Sequence, residues 1–424
     1  MKGWSKKRLV EITEKIGSGA TPRGGQEAYK ESGISLFRSL NVYDGIFKKK
    51  NLAFIDEDQA SKLSNVVVRE GDVLLNITGA SVARCCVAPS EFLPARVNQH
   101  VAIIRPKLDY IDSNFLAYLL ASKQYKDALL NTGEKAGSTR QALTKVQLEN
   151  FEITIPRLPE QNRIVAILDE AFEGIDRAIA NTKKNLTNAR ELFESYLNAI
   201  FTQKDDGWVE KRLTQIGGKV LTGPFGSLLH KSDYISHGIP LVNPANIEGN
   251  QIVPDFNKTV DQDVLSRLQA YTLRENDIIV GRRGEIGRCA VVQKEQSGWL
   301  CGTGCFFIQP SEYINSVFLA HLLRSTTYRS KLEALSTGAT MKNLSNQSLS
   351  NLVIALPKLD KQNQIINKLD NLSIETQRLE AIYQQKLAAL NELKQTILQK
   401  AFTGELTADT ANQATKTAEG AIAA

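Results

Sequence analysis

The sequence predicts an α+β protein in which two strand-rich mixed domains are each followed by a long helix, and the helices pair as an antiparallel coiled coil with approximate two-fold symmetry. Three observations predict it. The chain repeats itself, each copy changes character once, and the later part of each copy carries apolar residues at a seven-residue spacing.

The repeat is visible from the first residues. GWSKKRL (3 to 9) returns as GWVEKRL (207 to 213), so Trp4, Arg8 and Leu9 recur as Trp208, Arg212 and Leu213, 204 residues later. EGDVLL (70 to 75) returns as ENDIIV, Arg84-Cys85 as Arg288-Cys289, and FLAYLL as FLAHLL. ITIPRLPEQNRIVAILD (153 to 169) returns as IALPKLDKQNQIINKLD (354 to 370). One plan is therefore used twice.

Within each copy, short β-branched runs (VVVREGDVLL, VAIIRP; YTLRENDIIV, CFFIQP) alternate with Gly, Pro and Asn punctuation, as in a mixed, strand-rich domain. These domains are expected over 1–157 and 205–358, with helices over 158–204 and 359–404. Pro159 and Pro357 flag the helix starts, and no further proline occurs through Ile200 or Ala401. In the first helix Phe172, Ile179, Leu186, Phe193 and Ile200 form one column beside Leu168, Ile175, Thr182, Ala189 and Tyr196. In the second, Leu369, Thr376, Tyr383, Leu390 and Ile397 stand beside Ile365, Leu372, Leu379, Lys386 and Leu393. Steps of three and four make a coiled-coil seam, and Lys386 is the polar position that can fix register. At about 1.5 Å per residue, each helix spans roughly 60 Å, too long for one small domain to cover. Pairing with each other is the expected solution; packing on the helix's own head or on another protein is the alternative. The Ala/Thr-rich tail, 405–424, is expected to be disordered.

Composition narrows the function. Lys and Arg outnumber Asp and Glu by 52 to 46, a net charge of +6 that suits an anionic partner without requiring one. No stretch reaches the roughly 18 apolar residues of a membrane span, and the N-terminus lacks the apolar centre of a signal peptide, so a cytoplasmic protein is expected. The five cysteines are odd in number and lack C-x-x-C spacing; buried free thiols are expected, with no metal site.

Catalytic signatures are missing. There is no G-x-x-x-x-G-K-[ST] phosphate loop, and GSGATP (17 to 22) has Pro22 where a dinucleotide loop needs its last glycine; it is also read as following a helical opening instead of a strand. Asn243-Pro244-Ala245-Asn246 lacks the aromatic platform that grips a flipped adenine, and PDFNK (254 to 258) has Phe256 where a nuclease needs an acid. No catalytic residue is expected on this chain.

The duplicated heads, the IPRLPEQNRIVAIL and LPKLDKQNQIINKL segments and the Ala-Phe-Thr-Gly-Glu-Leu ending (401 to 406) resemble the specificity subunit of type I restriction-modification enzymes over about 400 residues. The resemblance implies that each head is a target recognition domain reading one half of a bipartite, non-palindromic target in double-stranded DNA. It implies that the helices are conserved spacers that set the gap and dock two modification subunits. S-adenosylmethionine and adenine N6-methylation would then reside on those partners, and ATP and Mg on separate restriction subunits. Two departures stand out: Asp360-Lys361 replaces Pro159-Glu160, and the first helix ends AIFTQK.

The duplication also sorts candidate DNA contacts. Features shared by both heads suit folding or phosphate positioning, whereas differing features suit different bases. Gly79 and Gly284 are shared and suit a tight turn; Arg84 and Arg288 are shared and suit either phosphate contact or structural pairing. Arg282 and Arg283 lie between glycines where the first head has Asn76-Ile77-Thr78, and an arginine fork matches guanine O6 and N7. Phosphate contacts and surface ion pairs are the competing uses. Arg140 and Gln141 face Met341 and Lys342 in the other copy, with Asn343 opposite Ala142, and Lys48, Lys49 and Lys50 face no lysine at 249–251, forming a solvated loop or a phosphate contact. The rival reading from another class is a coiled-coil scaffold with two ligand- or protein-binding heads and no DNA role. A methyltransferase in its own right would need to bind S-adenosylmethionine unaided.

Overall fold

A computed structural model describes residues 3–22, 24–134, 142–204, 207–215, 218–225, 228–338 and 342–406. The chain divides into two compact units, Met1–Lys183 with Gln385–Ala424, and Lys184–Gln384. Each unit thus holds one head, the first part of the helix that leaves that head, and the last part of the other long helix.

In the first unit, strands Thr13–Ser18, Val101–Pro106, Val73–Asn76 and Cys85–Val87 form an antiparallel sheet in that order. A second sheet has the order Ala53–Ile55, Ile34–Phe37, Ala95–Val97, Val67–Val68, with the middle two parallel. The apolar run at 101–104 is buried on both faces because alternate side chains enter different cores. Ala102 and Ile104 join helix Ser113–Ala121 and the long helices, whereas Val101 and Ile103 join the second sheet. The second unit repeats this scheme. Gly218–Thr222, Cys305–Pro310, Ile278–Gly281 and Cys289–Val291 form its main sheet, in which Phe306 and Ile308 face the helical core and Cys305 and Phe307 face away from it.

The repeated GW-x-x-KRL opening closes each head where its long helix leaves. Ser5–Arg8 pairs antiparallel with Glu152–Ile155, and Val209–Arg212 with Val353–Leu356, the strands just before the helices. Trp4 lies 6.3 Å from the Phe115 ring, which meets Phe402 of the second long helix edge-on at 5.4 Å. Trp208 lies 6.0 Å from Phe318, which meets Phe201 of the first long helix at 5.5 Å. The ending AIFTQK therefore keeps the aromatic contact of the AFTGEL ending.

The long helices, Leu158–Thr202 and Leu359–Thr403, have 45 residues each and pack together. In the first unit Leu168, Phe172 and Ile175 share a core with Leu390 and Ile397, flanked by Ile179 and Leu393, and Asp176 pairs with Lys394 at 2.8 Å. In the second unit Leu369 shares a core with Leu197 and Phe201, flanked by Phe193, and Arg190 pairs with Glu380 at 3.1 Å. Fourteen residues forward along one helix is fourteen back along the other, the register of an antiparallel pair. Leu186, Leu372, Leu379 and Lys386 are half-buried. One seam position is corrected: Tyr196 is exposed and Leu197 is buried in its place. A helix with 3.6 residues per turn drifts past a 3.5-residue column, so the buried stripe moves by one near the end.

Each helix is fixed to its head by one buried glutamine. Gln161 donates from Nε2 to the carbonyls of Tyr110 and Pro156, at 3.0 and 2.9 Å, and its Oε1 accepts from the Asp112 amide at 3.0 Å. Gln362 makes the same three bonds, to Tyr313, Pro357 and Asn315, at 3.1, 2.9 and 2.9 Å. Both side chains are fully buried and fully paired. The tail expectation is corrected at its first residues, since Leu406 is buried in the first unit's core; 407–424 lie outside the described residues. No described helix is long and apolar enough to cross a membrane.

Candidate nucleic-acid interface

In both heads separate loops meet at one end of the main sheet. In the first, the Ile77 amide donates to the His100 carbonyl at 3.0 Å, the Leu143 amide to Ile77 at 2.8 Å, and the Gly19 amide to Asn98 at 3.2 Å. In the second, Arg282 donates to Gly304 at 3.0 Å, Leu344 to Arg282 at 2.9 Å, and Gly223 to Cys305 at 3.1 Å. The first two bonds are the same in both heads and the third differs, since Asn98 corresponds to Gly302 and not to Cys305; the two loops joined by the matching bonds share a frame on which the side chains are free to differ. Gly79 and Gly284 hold φ of 75° and 74°, the left-handed turn expected of them. GSGATP begins in the last two residues of the strand Thr13–Ser18, which corrects the helical reading. Its Gly19 serves packing: a Cβ there would lie 1.7 Å from the Val97 carbonyl oxygen.

The frame brings together the two loops singled out in the second head. Arg283 and Asn343 form a β-bridge, as Thr78 and Ala142 do in the first head. Arg282 is not a free fork. It is 9% exposed, its Nε donates to Asn343 Oδ1 at 3.2 Å, and its guanidinium lies 5.2 Å from the Phe306 ring centre. Burial pulls its pKa down, with the Arg283 charge adding to the effect. Arg282 and Asn343 therefore brace the loop against each other, and Arg283 is the exposed cation at its tip. Lys342 is exposed and only 3.8 Å from Glu333. Arg140 and Gln141 lie outside the described residues.

The shared arginines do different work. Arg288 donates from Nε to Glu285 at 2.7 Å, and Arg329 reaches the same carboxylate at 3.2 Å. These arginines line a cavity of about 680 Å³ with Arg324, Glu248, Glu285 and Asp370, so cations and carboxylates offset each other there. Arg84 instead lies 4.9 Å from the Tyr43 ring centre, and Lys48 Nζ lies 3.6 Å from the same ring. Among the described residues neither Arg84 nor Lys48 ion-pairs with a carboxylate, so two cations converge on one aromatic ring. Lys49 lies 5.6 Å from Phe92. Asn41 Nδ2 donates to the Lys48 and Lys50 carbonyls at 2.8 and 3.3 Å and shapes the lysine turn. Asn246 clamps Val253 at 3.0 Å in the same way, so the counterpart of the lysine run is Val253-Pro254-Asp255 instead of 249–251.

Sequence reasoning missed Thr21, Thr78, Gln99 and His100, which form a linked polar chain on the first head's frame. They come from three separated segments, and no local pattern joins them. The five cysteines are free and buried. Burial raises the thiol pKa of Cys289 to about 11 and of Cys86 to about 12.

The type I restriction modification DNA specificity domain matches residues 1–188 and again 205–390. The chain belongs to that family. It is a DNA specificity subunit of a type I restriction-modification system, with two target recognition domains, and the specificity subunit is the system's non-catalytic component. The EcoBI specificity subunit of Escherichia coli is 24% identical over 340 residues, covering 74% of this chain and 70% of that protein. The fold is that of the HsdS subunit from Thermoanaerobacter tengcongensis, with a TM-score of 0.60, 20% identity, and 96% and 98% of the two chains covered. A chain from a structure of type I R-M system assembly and conformational transition superposes with a TM-score of 0.72 at 20% identity, covering 95% and 98%.

Proposed function

We propose that residues 1–157 and 205–358 each read one half of a bipartite, non-palindromic target in double-stranded DNA, and that the spacers 158–204 and 359–404 set the gap and dock two modification subunits. Those partners supply S-adenosylmethionine and methylate adenine N6; restriction subunits, where present, supply ATP- and Mg-dependent cleavage. The work takes place in the cytoplasm. The observation that carries this reading is the pair of loop frames with matching backbones and different side chains. A common frame presents each loop set in the same pose, and the differing groups make the two half-sites unlike. Arg283 and Lys342 are the base- or phosphate-facing cations of the second head, and Arg84 with Lys48, Lys49 and Lys50 forms the phosphate-facing cluster of the first.

The test is selection from a duplex library randomised in both half-sites, with the chain assembled with its modification partner. Two unlike half-sites at a fixed gap are expected. Arg283→Ala should flatten one position of the second half-site and leave the first intact. Equal loss in both halves would remove Arg283 as a reader. Weak binding with little salt dependence would return the scaffold reading, because neutralising several phosphates imposes a steep salt slope.

A further inference from the structure

The polar chain in the first head is a consistent run of donors and acceptors. The Thr21 hydroxyl donates to Gln99 Oε1. Gln99 Nε2 lies 3.1 Å from His100 Nε2, and an amide nitrogen can only donate, so His100 Nε2 accepts. The imidazole proton then sits on Nδ1 and is given to the Thr78 hydroxyl oxygen. The His100 amide is itself held by Asn98 Oδ1 at 3.0 Å. Turning the Gln99 amide over reverses every link and leaves the same two groups, one acceptor and one donor, free.

The fold does not need this chain. The second head keeps the two backbone bonds that join these loops, Arg282 to Gly304 and Leu344 to Arg282, with Arg283, Thr303 and Gly304 where the first has Thr78, Gln99 and His100. Hydrogen bonds this exposed add little to stability. What they add is orientation, because Gln99 is exposed and would otherwise sample many rotamers. With one oxygen lone pair taken by Thr21 and one N–H taken by His100, the amide retains one acceptor and one donor. That is the complement of adenine N6–H and N7 in the major groove.

We infer that Gln99 is a base-reading residue of the first head, selective for adenine, and that Thr21, His100 and Thr78 are positioning residues that hold its amide. This rests on the DNA-reading function proposed above. The test uses the full chain with its modification partner and the same doubly randomised duplex library. Gln99→Thr and His100→Gly adopt the residues that the second head carries on this backbone, which keeps the frame intact. Gln99→Thr should lower an adenine preference at one position of the first half-site by about 10- to 100-fold, the range for a bidentate contact. His100→Gly should weaken the same position and no other. The second half-site and the binding of mixed-sequence duplex should not change. Unchanged first-half preferences in Gln99→Thr, a loss at a position that is not adenine, or equal losses in both halves would overturn the inference while the proposed function stands. A wild-type chain with no sequence preference in either half would overturn both.

Discussion

Replacing Gln161 with methionine removes a buried side chain that ties the start of the first long helix to its head. Methionine has similar length and flexibility, so packing is nearly kept and the loss is in hydrogen bonding. Three backbone groups lose their partner: the Tyr110 and Pro156 carbonyls and the Asp112 amide. Each costs about 1–2 kcal/mol when left buried and unpaired, and the added apolar burial returns about 1 kcal/mol, for a net destabilisation of about 3 kcal/mol. With a urea m-value of about 3 kcal/mol/M for a unit of this size, the unfolding midpoint of the first unit should fall by about 1 M. Gln362→Met should cost the same in the second unit, because its three bonds match in kind and length. The two sites share no partner, so the double variant should show both losses in full. Urea titration of the complete chain followed by circular dichroism reads these values. A midpoint shift below about 0.3 M, or strongly unequal costs in the two copies, would refute the assignment of these glutamines as equivalent joints.

Three further outcomes are expected. Phe402→Ala and Phe201→Ala should each destabilise one unit by about 3–4 kcal/mol in the same titration, since each empties the socket beside Phe115 or Phe318. Burial, with Arg324 beside it, holds the His321 pKa down to about 3. An unfolded histidine takes its proton near pH 6.5, so the second unit keeps its full stability above about pH 6.5 and loses up to about 1.4 kcal/mol per pH unit as the pH falls towards 3. His321→Tyr, matching Tyr118 of the first unit, should remove that slope in thermal melts across pH. Arg84→Ala should lower the salt slope of DNA binding by about 0.9, the value for one phosphate contact, whereas Arg288→Ala, already paired with Glu285, should change it little.

The duplication and the heptad columns made the architecture legible, because periodicity survives in sequence even at Thr182 and Thr376, whose hydroxyls bond back to the Ala178 and Leu372 carbonyls. The drift from Tyr196 to Leu197 was not legible, since it depends on where the supercoil relaxes. The role of Gln161 and Gln362 was hidden inside the very motif that carries the family resemblance; a polar residue at a helix start reads as solvated until its head folds over it. Arg282 looked like a groove-entering fork between flexible glycines, and only its packing under Asn343 and beside Phe306 shows it to be a brace. Gln99 and His100 carried no local signal, because their partners lie at positions 21 and 78.

The first unit draws its core from segments far apart in the chain: Phe115 meets Phe402, and Leu406 is buried in the same core. During synthesis, the head that leaves the ribosome first must therefore wait for Phe402, translated after the whole second head, before its aromatic socket is filled. The second head is made later, but its partner Phe201 has already been translated, so it can finish sooner. Folding order then runs against the order of translation, and the nascent first head, with Phe115 uncovered, is the stage at which a chaperone would be needed most.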